Sequence, residues 1–504
     1  MTYLLLFSVF VVATCGLIYE LITGALASYL LGDSVTQFST IIGTYLFAMG
    51  VGSYFSKFFY RNLLNVFIEI EIVIGIIGGF SAAFLFVAYE YVSSFRFILY
   101  TIIFIIGCFV GLEIPLLMRI LKDRFEFKDL VSKIFTYDYI GALIASISFP
   151  LLLVPYLGLV RSALLFGIFN VAVALMTIVV FKTEIKSEKF LRVKAILTLI
   201  IMVIAFGYSE RLVSSLEVQN YRERIVFKKN TSYQKIVLTQ SHGDMKLYLN
   251  GNLQFSSKDE YRYHESLVHV GLGQIDKPRR VLILGGGDGL AAREVLKYPS
   301  VEEIVLVDLD DQMTGLFKSN PILTSLNQNA LTHKKVQVVN QDAFVWVKNN
   351  RRQFDFVIVD FPDPSQFALG KLYSRTFYGY LMSTVGIDGL IAVQSTSPYV
   401  AKKSFQIIVN TLNDVGLYTR PYHVYVPSFG EWGYVLASRI PIEIKDSTWA
   451  LPAGLQFLSQ EMIPFLFQFS KDLIGETKEV NRLNNQVLVR TFEQEWENYG
   501  HYEN

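Results

Sequence analysis

The stretch Val281-Leu-Ile-Leu-Gly-Gly-Gly-Asp-Gly289 sets the reading of the chain, together with Ile304-Val-Leu-Val-Asp308 a little further on. A buried strand, a glycine turn that opens a helix and a second strand ending in a carboxylate make up the first βαβ unit of a nucleotide-binding sheet. Gly285 and Gly287 let backbone come close to a ligand, and Asp308 stands where an acid accepts hydrogen bonds from ribose hydroxyls. Working outward, Val336-Gln-Val-Val339 is followed by Asn340-Gln-Asp342, Phe356-Val-Ile-Val359 by Asp360, and Leu390-Ile-Ala-Val393 by Gln394. Ligands of an open parallel sheet lie outside the carboxyl ends of its strands, so Asp308, Asp342, Asp360 and Gln394 are expected to converge on one crevice. For each residue alone, a carboxylate that merely caps the next helix is the alternative.

The chemistry is most constrained at Asp360-Phe-Pro-Asp-Pro364. Two acids separated by two residues and held by prolines at a strand end can face one ligand without relying on loop flexibility. With Asp288 in the glycine turn, the site is acidic, which is wrong for phosphate and right for a cation such as a sulfonium nucleoside or an amine. The helix of Asp259-Glu-Tyr-Arg-Tyr-His-Glu265 puts His264 and Glu265 where one face can meet a ligand; equally, its polar residues can simply cap and solvate it. The histidines form no cluster at ligand spacing, so no metal is expected.

Composition divides the chain. Of its 504 residues 52% are hydrophobic and only 18% charged, too apolar for a soluble enzyme throughout. Apolar blocks of spanning length lie at about 4–31, 37–56, 63–89, 97–118, 136–157 and 160–181, and a shorter one, 195–208, has about fourteen residues. The first lacks the basic start and small-residue cleavage site of a signal peptide. Lys57 and Arg61, Arg119 to Lys133, and Lys182 to Lys194 all fall in alternate loops, which puts the amino terminus in the cytoplasm. A multi-pass protein of the cell membrane is expected, with six or seven helices. If 195–208 stays at the interface, the part that follows remains cytoplasmic. Glu20, Glu69, Glu71, Glu113 and Asp138 lie in or near the spans; such acids suggest a polar path or a site for a cationic amine. For Glu69, Glu71 and Asp138 an interfacial position or a loop cation is the expected explanation. A net charge of +1 excludes a nucleic-acid partner, and the cysteines, Cys15 and Cys108, sit in apolar blocks.

The expected organisation is therefore a helical membrane domain over 1–208, a small β-stranded region over 209–255, a Rossmann-like domain over 256–440 and a helical extension over 441–504. In these residues the chain resembles the spermidine synthase (polyamine aminopropyltransferase) family, in its membrane-anchored bacterial branch. The resemblance rests on Tyr233-Gln234, Leu247-Tyr-Leu-Asn-Gly-Asn-Leu-Gln254, Asp259 to Glu265, the GGGDG turn with Arg293-Glu294, Asp342, the Asp-x-x-Asp-Pro loop, Leu372-Tyr-Ser-Arg-Thr-Phe-Tyr378 and Gln394. It implies a class I methyltransferase-like sheet preceded by a small β-domain. The implied reaction moves an aminopropyl group from decarboxylated S-adenosylmethionine, a co-substrate, to putrescine or a related amine, without a cofactor. By the same resemblance Asp360 is the base, assisted by Tyr263. Gln254, Gly285, Gly287, Asp288, Asp308, Asp342, Ala343 and Asp363 bind the donor; Gln234, His264, Asp363 and Gln394 line the amine region.

Two departures bear on the amine. Phe361-Pro362 replaces the small hydroxyl residues usual between the acids, and the loop Val426 to Gly433 has no clear match to the family's amine-site tyrosine. Glu431 and Trp432 are the expected substitutes as cation contacts. Besides the bilayer, a homodimer is a possible partner, as in soluble relatives. The alternatives are an S-adenosylmethionine-dependent methyl- or alkyltransferase, whose donor carboxylate Asp288 and Asp363 would repel, and a non-catalytic polyamine-binding transporter or sensor.

Overall fold

The computed structural model describes residues 2–31, 34–92, 94–122, 125–221, 223–231, 233–443 and 449–500. It divides into two compact units, Met1–Arg222 and Glu223–Asn504.

The first unit holds α1 (Thr2–Leu31), α2 (Ser34–Phe55), α3 (Leu63–Tyr91), α4 (Phe95–Leu121), α5 (Phe127–Ser148), α6 (Val154–Val180) and α7 (Glu188–Tyr221). Six stretches are long and apolar enough to cross a membrane, and one of them, Phe127–Val180, contains both α5 and α6. A π turn over Phe149–Leu153 joins these two, and Gly158 bends α6 with φ 71° and ψ 177°. Pro150 and Pro155 bring no N–H to the helical ladder, which weakens it here.

The seventh block, which the sequence left open as a crossing or an interfacial segment, is part of a longer helix. Residues 195–208 belong to a helix of 34 residues, of which Glu188–Ser209 is apolar enough to span. The cations at its start hide its length from a hydropathy reading. Its exposed side chains Phe190, Val193, Ile196, Leu197, Ile200, Ile201, Val203 and Ile204 are apolar, unlike the polar outer face of an interfacial helix. Residues 209–221, expected in the β-region, are helical. Glu69 pairs with Lys194 at the bundle's edge, as a loop-cation reading expects. Glu71 does not: it is fully buried in the bundle.

The second unit opens with β1 (Arg224–Asn230), β2 (Lys235–Ser241), β3 (Asp244–Leu249) and β4 (Asn252–Ser256), an antiparallel sheet in that order. Two-residue turns close the β2–β3 and β3–β4 hairpins: His242-Gly243 (φ 47° and 77°) and Asn250-Gly251 (φ 51° and 88°) both take the left-handed backbone such turns require. Then come α8 (Glu260–Leu272), β5 (Arg280–Gly285), α9 (Leu290–Val295), β6 (Glu303–Asp308), α10 (Asp311–Ser319), α11 (Pro321–Leu326), β7 (Val336–Asn340), α12 (Ala343–Asn349) and β8 (Phe354–Asp360). They are followed by α13 (Phe367–Gly370), α14 (Arg375–Thr384), β9 (Val385–Gln394), α15 (Lys402–Asp414), β10 (Tyr418–Val426), β11 (Gly430–Ser438), α16 (Ile463–Leu466) and α17 (Val487–Gly500).

The seven-stranded sheet has the order β10-β11-β9-β8-β5-β6-β7. Strands β5 to β9 run parallel and β11 is antiparallel to its neighbours. This is the Rossmann-like sheet expected. The β5–β8 boundary is where the chain reverses its direction of building, the place at which such sheets bind ligands. The expected helical extension is mostly irregular between residues 449 and 486. It is held by side chains of the core instead: Glu265 accepts hydrogen bonds from the N–H groups of Gln456, Phe457 and Leu458 at 2.7–2.9 Å. Glu265 is therefore an anchor for this tail, not a ligand-facing acid.

Candidate active site

Strand pairing places Gly285 directly beside Asp360. The glycine is obligatory there: its φ is 83°, and a Cβ would lie 2.1 Å from the Asp360 carbonyl oxygen. A Cβ on Gly287 would lie 2.7 Å from Asp308 Oδ2. Instead its N–H donates to that oxygen at 3.1 Å, while the Asp310 N–H donates to Oδ1 at 2.9 Å. Asp288 faces in from the same turn, with Oδ1 accepting from the Leu290 N–H at 2.9 Å.

The Tyr263 hydroxyl donates to Asp360 Oδ1 at 2.6 Å. Burial pushes the Asp360 carboxyl up to about 6; His264 and the tyrosine hydrogen bond act against this, and the negative charge of Asp288 adds to it. Burial likewise raises Asp363 and Asp308 to about 6 and raises Asp288. His264 moves the other way. Burial opposes its charge, but Glu260, whose Oε2 lies 2.8 Å from Nδ1, holds the imidazolium to about 9, with help from Asp288 and Asp360. Glu260 is in turn clamped by Arg293 through two bonds of 2.8 and 3.0 Å. A buried cation thus stands behind two of the acids.

Asp363 is positioned separately. Gln394 Nε2 donates to its Oδ1 at 3.1 Å and the Thr396 hydroxyl to its Oδ2 at 3.2 Å. Gln394 also reaches the Phe361 carbonyl at 2.7 Å and lies 3.1 Å from the Tyr373 hydroxyl. Thr396 has φ 59°, a strained backbone of the kind stored at functional sites. Gly433 makes this possible: its N–H donates to the Thr396 carbonyl at 2.8 Å, where a Cβ would come within 2.9 Å of that oxygen.

Set against known proteins, residues 260–443 match the family model described as the spermine/spermidine synthase domain. A polyamine aminopropyltransferase of Leptospira interrogans is 47% identical over 489 residues, covering 97% of this chain and 98% of that one. The chain belongs to the polyamine aminopropyltransferase family. Members from Oceanobacillus iheyensis and Mycobacterium tuberculosis are 38% and 35% identical over 97% and 98% of this chain, each across 96% of the relative. A crystal structure of spermidine synthase in complex with the transition-state analogue AdoDATO has 25% identity and a TM-score of 0.46, covering 50% of this chain and 88% of that one.

The remaining residues singled out for this aminopropyltransferase fold fall into two groups. Asp342 caps α12, accepting from the Phe344 N–H at 2.7 Å, with Ala343 opening the helix behind it. Although burial pushes the Asp342 carboxyl up, the Lys371 ammonium at 2.7 Å holds it below the usual range. Trp432 is buried and packs at a tilt on Phe429, which packs on Tyr263.

The others are held elsewhere. Gln234 donates to Asp310 Oδ2 at 2.9 Å, two residues from Asp308 and not at the Asp360–Asp363 pair. Gln254 donates to the carbonyls of its own strand, at 3.2 Å to Asn252. Glu431 has one carboxylate oxygen, Oε1, on His423 Nδ1 across the β10–β11 pair. The adjacent Tyr434, two residues along β11 from Trp432, packs on Tyr263 with ring centroids 5.5 Å apart. Tyr434, Tyr373 and Thr396 are site residues that sequence reasoning did not assign. Thr396 left a signal in the hydroxyl run Ser395-Thr-Ser397 directly after a strand, and Tyr373 in the stretch Leu372 to Tyr378.

Proposed function

We propose that this chain is a membrane-bound enzyme that transfers the aminopropyl group of decarboxylated S-adenosylmethionine to putrescine or a related amine. The products are spermidine, for putrescine, and methylthioadenosine. One observation carries the reading: the Tyr263–Asp360 hydrogen bond at the end of β8, with a base held near neutrality beside the glycine turn.

In the proposed step the nitrogen lone pair of the amine attacks the methylene next to the sulfonium. The C–N bond forms as the C–S bond breaks, and the bonding pair returns to sulfur, leaving a neutral thioether. The proton lost by the amine passes to Asp360. A base whose pKa lies close to the working pH suits this task, and general-base help is worth roughly 10²–10⁴-fold. The larger share of the acceleration comes from alignment of nitrogen, carbon and sulfur. Asp308 and the Gly287 turn would hold the ribose, Asp342 the adenine amino group, and Asp288 and Asp363 the donor's ammonium. An acidic site, with Asp288 and Asp363 at the donor's ammonium, favours this donor over one that carries a carboxylate. The metal-free reading stands on the chemistry: the sulfonium is already a good leaving group.

The test is product identification. The full chain in detergent is given the decarboxylated donor with putrescine, cadaverine or spermidine, and the adduct is read by mass spectrometry. An aminopropyl adduct of at least one amine, formed one for one with methylthioadenosine, is expected. Consumption of the donor without an amine adduct would overturn the reading.

A further inference from the structure

Residues 449–486 have little regular structure, yet one polar side chain among them is as deeply buried as the core. Asn481 is 1% exposed. Its backbone is fixed on both sides: the N–H donates to the Thr411 hydroxyl on α15 at 3.0 Å, and the carbonyl accepts from the Arg375 N–H at the start of α14 at 2.8 Å. Its side-chain amide reaches the turn between α13 and α14, donating to the Gly370 carbonyl at 2.9 Å and the Tyr373 carbonyl at 3.1 Å. Helix α17 closes on the same turn, where a Cβ on Gly370 would lie 2.3 Å from Val489 Cγ2.

The turn held in this way carries two residues that meet the site. The Tyr373 hydroxyl donates to the carbonyls of Phe361 at 3.2 Å and Pro362 at 3.1 Å, the two residues between the acids Asp360 and Asp363. It accepts at 3.1 Å from Gln394, whose amide also holds Asp363. Lys371 Nζ reaches Asp342 Oδ2 at 2.7 Å. Tyr373 is fully buried, and a close-packed ring leaves no room for a compensating rotamer. Where its hydroxyl sits is therefore set by where its backbone is held. We propose that Asn481 is a positioning residue of the transfer reaction, acting through Tyr373 to fix the spacing of Asp360 and Asp363.

The chemistry of the side chain supports this role. Both donated bonds of the amide end on one short turn, while its oxygen faces the Leu488 N–H at 3.4 Å on α17. A residue that only filled the space would be apolar, because burying an amide is favourable only when its hydrogen bonds are made. An ionised aspartate of the same shape has no hydrogen to donate and would set an acceptor against two carbonyls. The inference rests on the proposed transfer reaction, since it assigns Asn481 to the geometry of that reaction's acid pair.

The experiment is a double-mutant cycle on the full chain in detergent, with methylthioadenosine release from decarboxylated S-adenosylmethionine and putrescine as the rate. The kcat is referred to the folded fraction, read from calorimetric unfolding. Asn481→Ala should lower kcat roughly 10–100-fold, as a small misplacement of reacting groups does. In a Tyr373→Phe background the same substitution should cost less than about threefold, because the link it breaks is already gone. KM for the donor should rise in Asn481→Ala as the turn bearing Lys371 loosens, which a mere loss of active fraction cannot produce. If the alanine variant does not fold, the isosteric Asn481→Asp takes its place in the cycle with the same expected coupling. Equal fold losses in the two backgrounds would overturn the proposal. So would a lowered melting temperature with kcat per folded enzyme and KM unchanged. Absence of transfer by wild type would instead overturn the functional reading beneath it.

Discussion

Replacing Tyr263 by Phe removes one hydroxyl and leaves the base in place, which isolates the contribution of the 2.6 Å hydrogen bond to Asp360. A hydrogen bond to a charged group is worth about 1.5–3 kcal/mol, and about 1.4 kcal/mol corresponds to one pKa unit. The Asp360 carboxyl, at about 6 in the native protein, should therefore rise to roughly 7–8 in Tyr263→Phe. The sign follows from the bond favouring the ionised form, so losing it favours the proton. At pH 7 the ionised fraction falls from about nine-tenths to between about one-half and one-tenth, a loss of roughly 2- to 10-fold in kcat/KM. At pH 9 that loss should vanish. The assay is the ratio of kcat/KM for variant and wild type across pH 5–9.5, because the ratio cancels the titration of the amine substrate itself. A deficit that is the same at every pH would refute the assignment of Tyr263 to the protonation of Asp360.

Other substitutions test neighbouring parts of the site. Asp360→Asn should lower kcat/KM by about 10²–10⁴-fold and abolish the acidic limb near pH 6, as read in the same pH series. His264→Gln removes the cation that lowers Asp360, so the acidic limb of kcat/KM should move to higher pH; an unchanged limb would remove His264 from the site's electrostatics. Gly287→Ala places a methyl 2.7 Å from Asp308 Oδ2, so KM for the donor should rise at least tenfold with KM for the amine little changed, checked by initial rates. If α1 to α7 each cross a membrane, with the amino terminus on the side of the basic loops, residue 223 onward lies on the opposite side. A reporter fused after Asn504 should then be active outside the cytoplasm, and activity only inside would mean that α7 does not cross.

What the sequence made legible was whatever local pattern fixes. The glycines at 285 and 287 and the acids at 308 and 360 were readable because strand, turn and strand-end carboxylate lie within one short span. Strand pairing then does the rest, setting Gly285 against Asp360. The spacing of Asp360 and Asp363 was equally local. Destinations set by long-range pairing were not readable. Glu431 and Trp432 are adjacent in sequence, but alternation along β11 sends one to His423 on β10 and the other toward Phe429. Tyr434 reaches Tyr263 only because β11 inserts antiparallel between β9 and β10. In the membrane unit, the charges at 188–194 concealed a helix of 34 residues. The burial of Glu71 depends on which of its faces α3 turns to α4 and α6, which periodicity alone did not fix.

The central claim is that this acidic site selects a donor without a carboxylate. The direct measurement is methylthioadenosine release by the full chain with putrescine, given either decarboxylated S-adenosylmethionine or S-adenosylmethionine itself. Release with the decarboxylated donor only, lost in Asp360→Asn, is the predicted result. Turnover with S-adenosylmethionine and none with its decarboxylated form would contradict it.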